Sequence, residues 1–192
     1  MTRGERLRWV ALAAVGLGVH GWFVLGAPAL DTDRALVLLM AGRFAEGELS
    51  VYFWQQNYMA ALEPLLLTPL AMAGWVTPVA AGLVALGVTA GMAALSVVLA
   101  RHLGGASWMA LLLWAVPPAV VVHHHVSLYG ARLVATLLVL GAFVWAVRAT
   151  SFRAWVGIGV LVGVAYFGDH LMLGWAAGVA WLAVVSSRMD AL

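Results

Sequence analysis

Ten arginines, eight carboxylates, six histidines and no cysteine carry most of the reactive chemistry in this 192-residue chain, which also lacks lysine. Without cysteine there is no disulfide, thiolate nucleophile or sulfur-ligated zinc or iron-sulfur site, which leaves carboxylate and imidazole chemistry. Asp33 is a candidate general base, able to take a proton from an incoming hydroxyl or amine. Asp31 and Asp33 also suit the opening turn of a helix, where carboxylates meet free backbone N–H groups. Gln55, Gln56, Asn57 and Tyr58 set hydrogen-bond donors and acceptors in a row, suited to sugar hydroxyls or a phosphate, or to satisfying their own loop backbone. Glu63, directly before Pro64, either orients a ligand or caps a short helix.

His123, His124 and His125 follow Pro117-Pro118. With a loop carboxylate they offer ligands for a divalent metal; His124 and His125 are also candidate contacts to a phosphate or an acceptor. Neighbouring side chains diverge, which favours a polar interfacial cluster over one shared ion. A divalent metal is thus one candidate cofactor, and there is no heme, quinone or nucleotide motif. Arg132 offers bidentate contact to a lipid phosphate or a pair with Asp169, and Asp169-His170 fits a helix cap. His20, alone in an apolar run, is expected to hydrogen-bond a neighbouring helix.

The elements that must position these groups follow from composition. The chain is 65% hydrophobic and 9% charged, against roughly 25% charged in a soluble domain, so it reads as an all-α, multi-pass membrane protein. The formal charge of +2 excludes a nucleic-acid partner of the basic-stripe kind. Apolar runs near Trp9–Leu30, Val79–Ala100, Ser107–Val122, Leu133–Ala149, Ala154–Phe167 and Leu171–Val185 predict about six spans of a hydrocarbon layer about 30 Å thick. With a cytoplasmic N-terminus, Arg3, Arg6, Arg8, Arg101, Arg148, Arg153 and Arg188 fall inside, as the positive-inside rule expects. Asp31, Asp33, Glu46, Glu48, Glu63, Asp169 and four histidines fall outside. The first apolar run is longer than the core of a secretory signal and reads as an uncleaved helix. Glycines four apart, Gly87 with Gly91, Gly159 with Gly163 and Gly174 with Gly178, predict close helix packing.

Residues 31–77 form the long outer loop. Leu36, Leu39, Met40 and Phe44 predict an interfacial helix on the outer leaflet, Val51–Tyr58 an aromatic and amide-rich segment, and Leu62–Ala73 a short apolar helix interrupted by proline. The stretch Asp33-Arg34-Ala35 to Met40-Ala41, Glu46-Gly47-Glu48-Leu49, and Tyr52-Phe53-Trp54-Gln55-Gln56-Asn57-Tyr58-Met59-Ala60-Ala61-Leu62-Glu63 resembles the first outer loop of bacterial GT-C-fold glycosyltransferases. These are the polyprenyl-phosphate-sugar-dependent enzymes related to protein O-mannosyltransferases and the lipid A aminoarabinose transferase. Tyr129-Gly130-Ala131-Arg132-Leu133 and Gly157 through Gly163 to Phe167-Gly168-Asp169 are similar to later family elements.

The resemblance implies one transmembrane GT-C-like module over 1–192, in a bacterial inner membrane, with Asp33 as catalytic base. Its implied partners are a polyprenyl-phosphate-linked sugar, membrane lipid, and an acceptor glycan, lipid or protein. Arg34 stands where the family has an acidic residue, Gln55 replaces a glycine, Ala60-Ala61 replaces Gly-Ser, and family members are longer. An N-terminal portion or reduced relative is therefore expected, and a non-catalytic membrane subunit with a membrane-protein partner is the alternative.

Overall fold

A computed structural model describes residues 3–26, 32–54, 56, 58–104, 107–118, 122 and 124–189. Among them the chain is all-helical: α1 (Arg3–Gly26), α2 (Thr32–Ala45), α3 (Leu62–Met72), α4 (Pro78–His102), α5 (Ser107–Ala115), α6 (Arg132–Ala146), α7 (Phe152–Gly168), a short 3-10 turn (His170–Met172) and α8 (Leu173–Met189). α6 packs on α4, α7 and α8, while α1 lies against α4 and α5, and α2 against α3.

Two helices, Gly4–Gly26 and Pro78–His102, are long and apolar enough to cross a membrane. At 1.5 Å per residue each exceeds about 30 Å. α4 starts cleanly because the Thr77 side chain accepts from Ala80 N–H and Pro78 fills the first turn, where no N–H is needed. The other expected spans correspond to shorter helices. Nine-residue α5 rises about 13 Å, ending just before the Pro117-Pro118 pair, which withholds two backbone donors. α6 and α7 have 15 and 17 residues.

The outer-loop helix differs from its expected placement. α2 turns Val37, Met40, Ala41 and Phe44 into the largest core cluster, against Phe53, Met59, Leu67, Ala85 and Leu133. Those four positions are the true i, i+3, i+4, i+7 stripe. Leu39, expected on the apolar face, is 60% exposed. α2 therefore buries one face in the core of the bundle.

The glycine pairs also behave differently from their spacing. A Cβ would meet nothing at Gly87, Gly159, Gly163 or Gly174, and of the six only Gly91 and Gly178 face a neighbour. The closest approaches lie elsewhere. Gly16 lies against the Trp114 indole, Gly157 against the Trp145 indole, and Gly168 would place a Cβ 2.6 Å from Leu62 Cδ1.

The bundle is polar along its length. At one end the Arg101 guanidinium sits 4.7 Å over the Trp9 ring and Arg148 Nε donates to His102 Nε2 at 2.8 Å. These contacts join the start of α1 to the ends of α4 and α6. The carboxylates described below collect at the other end.

Candidate functional site

Between α2 and α3 the chain doubles back. Phe53 N–H donates to Met59 O at 2.9 Å and Ala61 N–H to Val51 O at 3.0 Å. Tyr52 and Ala60 form one isolated antiparallel bridge, and Met59 and Asp169 another. Gln55 and Asn57 lie outside the described residues. The Gln56 side-chain Oε1 is buried and has no hydrogen-bond partner among the described residues, and Tyr58 is half exposed.

Glu63, at the start of α3, is fully buried. Its Oε2 accepts from Tyr129 N–H at 2.5 Å and Gly130 N–H at 2.9 Å, and its Oε1 from Leu133 N–H at 2.7 Å. In return Glu63 N–H donates to Gly130 O at 2.6 Å. The N-cap residue of α6, Ala131, has no capping side chain, so a glutamate from another helix does that work and meets the positive end of the helix dipole. Burial pushes the Glu63 carboxyl up to about 7, while the backbone donors pull it down. All of its described hydrogen bonds go to the fold, none to a neighbouring side chain.

Gly130 completes this clasp. Its φ is +112, and a Cβ there would lie 2.7 Å from Met59 Sδ and 3.0 Å from Phe53 Cγ. Only glycine lets the loop pass under the hairpin in that conformation.

Arg132 and Asp169 are paired, Nε to Oδ2 at 3.2 Å, with the Asp169 side chain 1% and the Arg132 side chain 48% exposed. Asp169 Oδ1 also accepts from Leu171 N–H at 2.9 Å and so caps the 3-10 turn. Half of the Arg132 side chain remains open to a further contact. His170 is exposed, with its ring 5.0 Å from Tyr166.

Asp33 lies in the first turn of α2, half-buried. Among the described residues its carboxylate enters no hydrogen bond or ion pair. Its neighbour Arg34 reaches across to the Ser127 hydroxyl. The two line a cavity of about 30 Å³ with Phe23, Val37 and Gly82, where the ends of α1, α2 and α4 meet. Ser127 was not singled out by sequence; a lone hydroxyl between Val126 and Leu128 is the only signal it offers.

The histidine tract diverges. The His124 ring lies 5.6 Å from that of Tyr129, whereas His125 turns inward to His20. His123 lies outside the described residues. Among the described residues no three His, Asp or Glu side chains are grouped to hold a metal ion. His20, as expected of a buried imidazole, is hydrogen-bonded: Nδ1 to Gly16 O at 2.8 Å and Nε2 to His125 Nδ1 at 3.0 Å.

The structure therefore joins three segments far apart in sequence, the hairpin with Glu63, the 127–133 loop and the 168–169 corner. Ala60 N–H donating to Gly168 O at 2.9 Å closes the set. No family model, curated protein or solved structure matches the chain.

Proposed function

We propose that this chain is a multi-pass membrane protein of the GT-C glycosyltransferase type. On this reading it moves a sugar from a polyprenyl-phosphate donor to an acceptor hydroxyl or amine at the outer face of a bacterial inner membrane, its N-terminus being cytoplasmic. Asp33 takes the acceptor's proton. Gln55, Gln56, Asn57 and Tyr58 bind sugar hydroxyls, and Arg132, whose side chain is half exposed, meets the phosphate. Six crossings are completed by α5 to α8, tilted or extended by flanking apolar residues.

The observation that carries the reading is the convergence just described. The three stretches on which the resemblance rests, 33–63, 129–133 and 157–169, are linked to one another by direct hydrogen bonds. The carboxylate that the reading needs as a base is the one the described fold leaves uncommitted. The buried Gln56 Oε1, which has no hydrogen-bond partner among the described residues, adds an acceptor that a donor such as a sugar hydroxyl would satisfy.

The test is sugar transfer in membranes carrying a radiolabelled polyprenyl-phosphate sugar. Asp33→Asn is expected to abolish transfer while the protein stays inserted and abundant, and undiminished transfer by that variant rejects the assignment. One observation favours a second reading, a non-catalytic membrane subunit with a membrane-protein partner. Arg34, in place of the family's acid, is engaged in holding Ser127, a structural use of a position next to the base. Stable co-purification with a partner and no transfer by the isolated protein would select it.

A further inference from the structure

The end of the bundle away from the hairpin is rich in arginine. Arg6, Arg8, Arg101, Arg148 and Arg153 are exposed there, and Glu5 is the only carboxylate among its described residues. Arg148 is drawn toward the end of α4 by its bond to His102, the residue after Arg101. Beside this charge an apolar groove of about 570 Å³ runs between α1, α4 and α5. Ala13 and Leu17 line it from α1, Ala90, Ala94 and Val97 from α4, and Arg101 is the only charged residue in its wall.

The groove has the depth of one leaflet. Trp9 and Arg101 mark its charged end, with the guanidinium 4.7 Å from the centre of the indole ring. From there the lining reaches Leu17 along α1 and Ala90 along α4, about 12 and about 16 Å away at 1.5 Å per residue. Half of a hydrocarbon layer about 30 Å thick is about 15 Å. An indole on a membrane-spanning helix sits by preference at headgroup level. The arginine end of the groove then lies where phosphates are, and its apolar length where acyl chains are. The small side chains of Ala13, Ala90 and Ala94 withhold the bulk that would close the groove. Val10, Leu17 and Ala94 are exposed, so it is open along its side.

Charge and shape together select the occupant. A soluble anion would meet the arginine and leave the apolar length empty. A lipid without net charge would fill the length and gain little from the surrounding cations. A phospholipid of net negative charge uses both. Stacking on Trp9 engages the flat face of the guanidinium, whereas a phosphate is met by the N–H groups at its edge, so the two contacts are compatible. We infer that the groove between α1 and α4 binds an anionic phospholipid, with one acyl chain along Ala13, Ala90 and Ala94 and its phosphate on Arg101. The inference rests on the membrane part of the reading above, that α1 and α4 cross a bilayer, and on none of its transfer chemistry.

The experiment uses the whole chain. Alkaline carbonate washing of vesicles that carry it comes first: retention is expected, and release would overturn the membrane reading and this site together. Native mass spectrometry of the chain in a neutral detergent then compares phosphatidylglycerol with phosphatidylcholine of the same acyl chains. Phosphatidylglycerol is expected to bind about fivefold more tightly, the effect of one arginine near an anionic headgroup. Arg101→Gln should bring the two lipids to within about twofold of each other. Arg153→Gln, at the same end but outside the groove wall, should leave the preference intact. Ala94→Trp fills the groove without touching a charge and should abolish the preferred adduct, and millimolar glycerol phosphate should not displace the lipid. For a chain retained in the vesicles, several results overturn the site and leave the membrane reading standing. They are equal affinity for the two lipids, a preference undiminished in Arg101→Gln or Ala94→Trp, a preference lost in Arg153→Gln, displacement by glycerol phosphate, or a dimer that forms in place of the lipid adduct.

Discussion

Replacing Glu63 tests whether one carboxylate, placed by α3, organises the far side of the bundle. In Glu63→Ala the N–H groups of Tyr129, Gly130 and Leu133 lose their acceptor. A buried donor left unsatisfied costs about 1–3 kcal/mol, so three of them cost at least about 3 kcal/mol. For a chain of this size that is a fall of roughly 6–12 °C in Tm. Glu63→Gln keeps the shape and one carbonyl oxygen but sets an NH2 group against a backbone donor, and should cost about 1–2 kcal/mol. Thermal unfolding by far-UV circular dichroism in detergent reads the loss. Hydrogen exchange at the Tyr129, Gly130 and Leu133 amides reads its location, since those amides should exchange faster before the rest of α6 does. The wild type should also show a pH signature. Its carboxyl rises from an ordinary 4.5 to about 7, so between those values the unfolded chain gives up its proton first. Stability therefore falls as pH rises through that window, by about 3 kcal/mol, and is level above it. Glu63→Gln should remove the slope. Unchanged melting and unchanged amide protection in both variants would refute the clasp.

Two further outcomes follow from the same end of the molecule. Gly130→Ala combines a left-handed backbone with a Cβ 2.7 Å from Met59 Sδ; it should cost about 2–4 kcal/mol in unfolding experiments, whereas Gly159→Ala, in open space, should be neutral or mildly stabilising. A double-mutant cycle on Arg132 and Asp169 should return a coupling of about 1 kcal/mol, because Arg132 is half exposed and screened. Asp169→Ala alone should cost more than Arg132→Ala, since it also removes the cap on Leu171.

Much of this arrangement is legible in sequence where the cause is local. The apolar runs of α1 and α4 and the Thr77-Pro78 start all follow from residues within a turn of one another, whereas the run expected from Ser107 to Val122 passes through Pro117-Pro118 and its helix ends at Ala115. The Arg132–Asp169 pair was a candidate because charge is scarce and both residues flank apolar runs. What could not be read depends on distance. The partners of Glu63 lie 66 to 70 residues away, and two of its three acceptor bonds go to peptide groups outside any helix, which no side-chain pattern announces. The glycine pairs misled for a related reason. Four-residue spacing places two glycines on one face but does not say that a neighbour covers it, and at Gly16 and Gly157 a single glycine beneath an indole made the contact instead. Leu39 was grouped with the apolar face of α2 by its type, although the helical angle puts Val37 there.

The carboxylates of the hairpin end can now be sorted by what holds them, and the sorting bears on the proposed chemistry. Glu46 and Glu48 both reach Arg43, at 3.3 and 3.4 Å, on the exposed surface. Glu63 is occupied by three backbone donors, and Asp169 by Arg132 and Leu171 N–H. A general base must be within reach of its proton and free to receive it. Glu63 meets neither condition, being fully buried, and Asp169 could act only by giving up its ion pair and its cap. Among the described carboxylates of this end Asp33 is left, half-buried in the first turn of α2; Asp31 lies outside the described residues. The loss expected from Asp33→Asn should therefore be confined to transfer, with the free energy of unfolding unchanged within about 0.5 kcal/mol. The same change at Asp169 or Glu63 should lower stability first. A variant set in which Asp33→Asn destabilises as much as Asp169→Asn would make Asp33 another structural cap and remove the base from the proposed reaction.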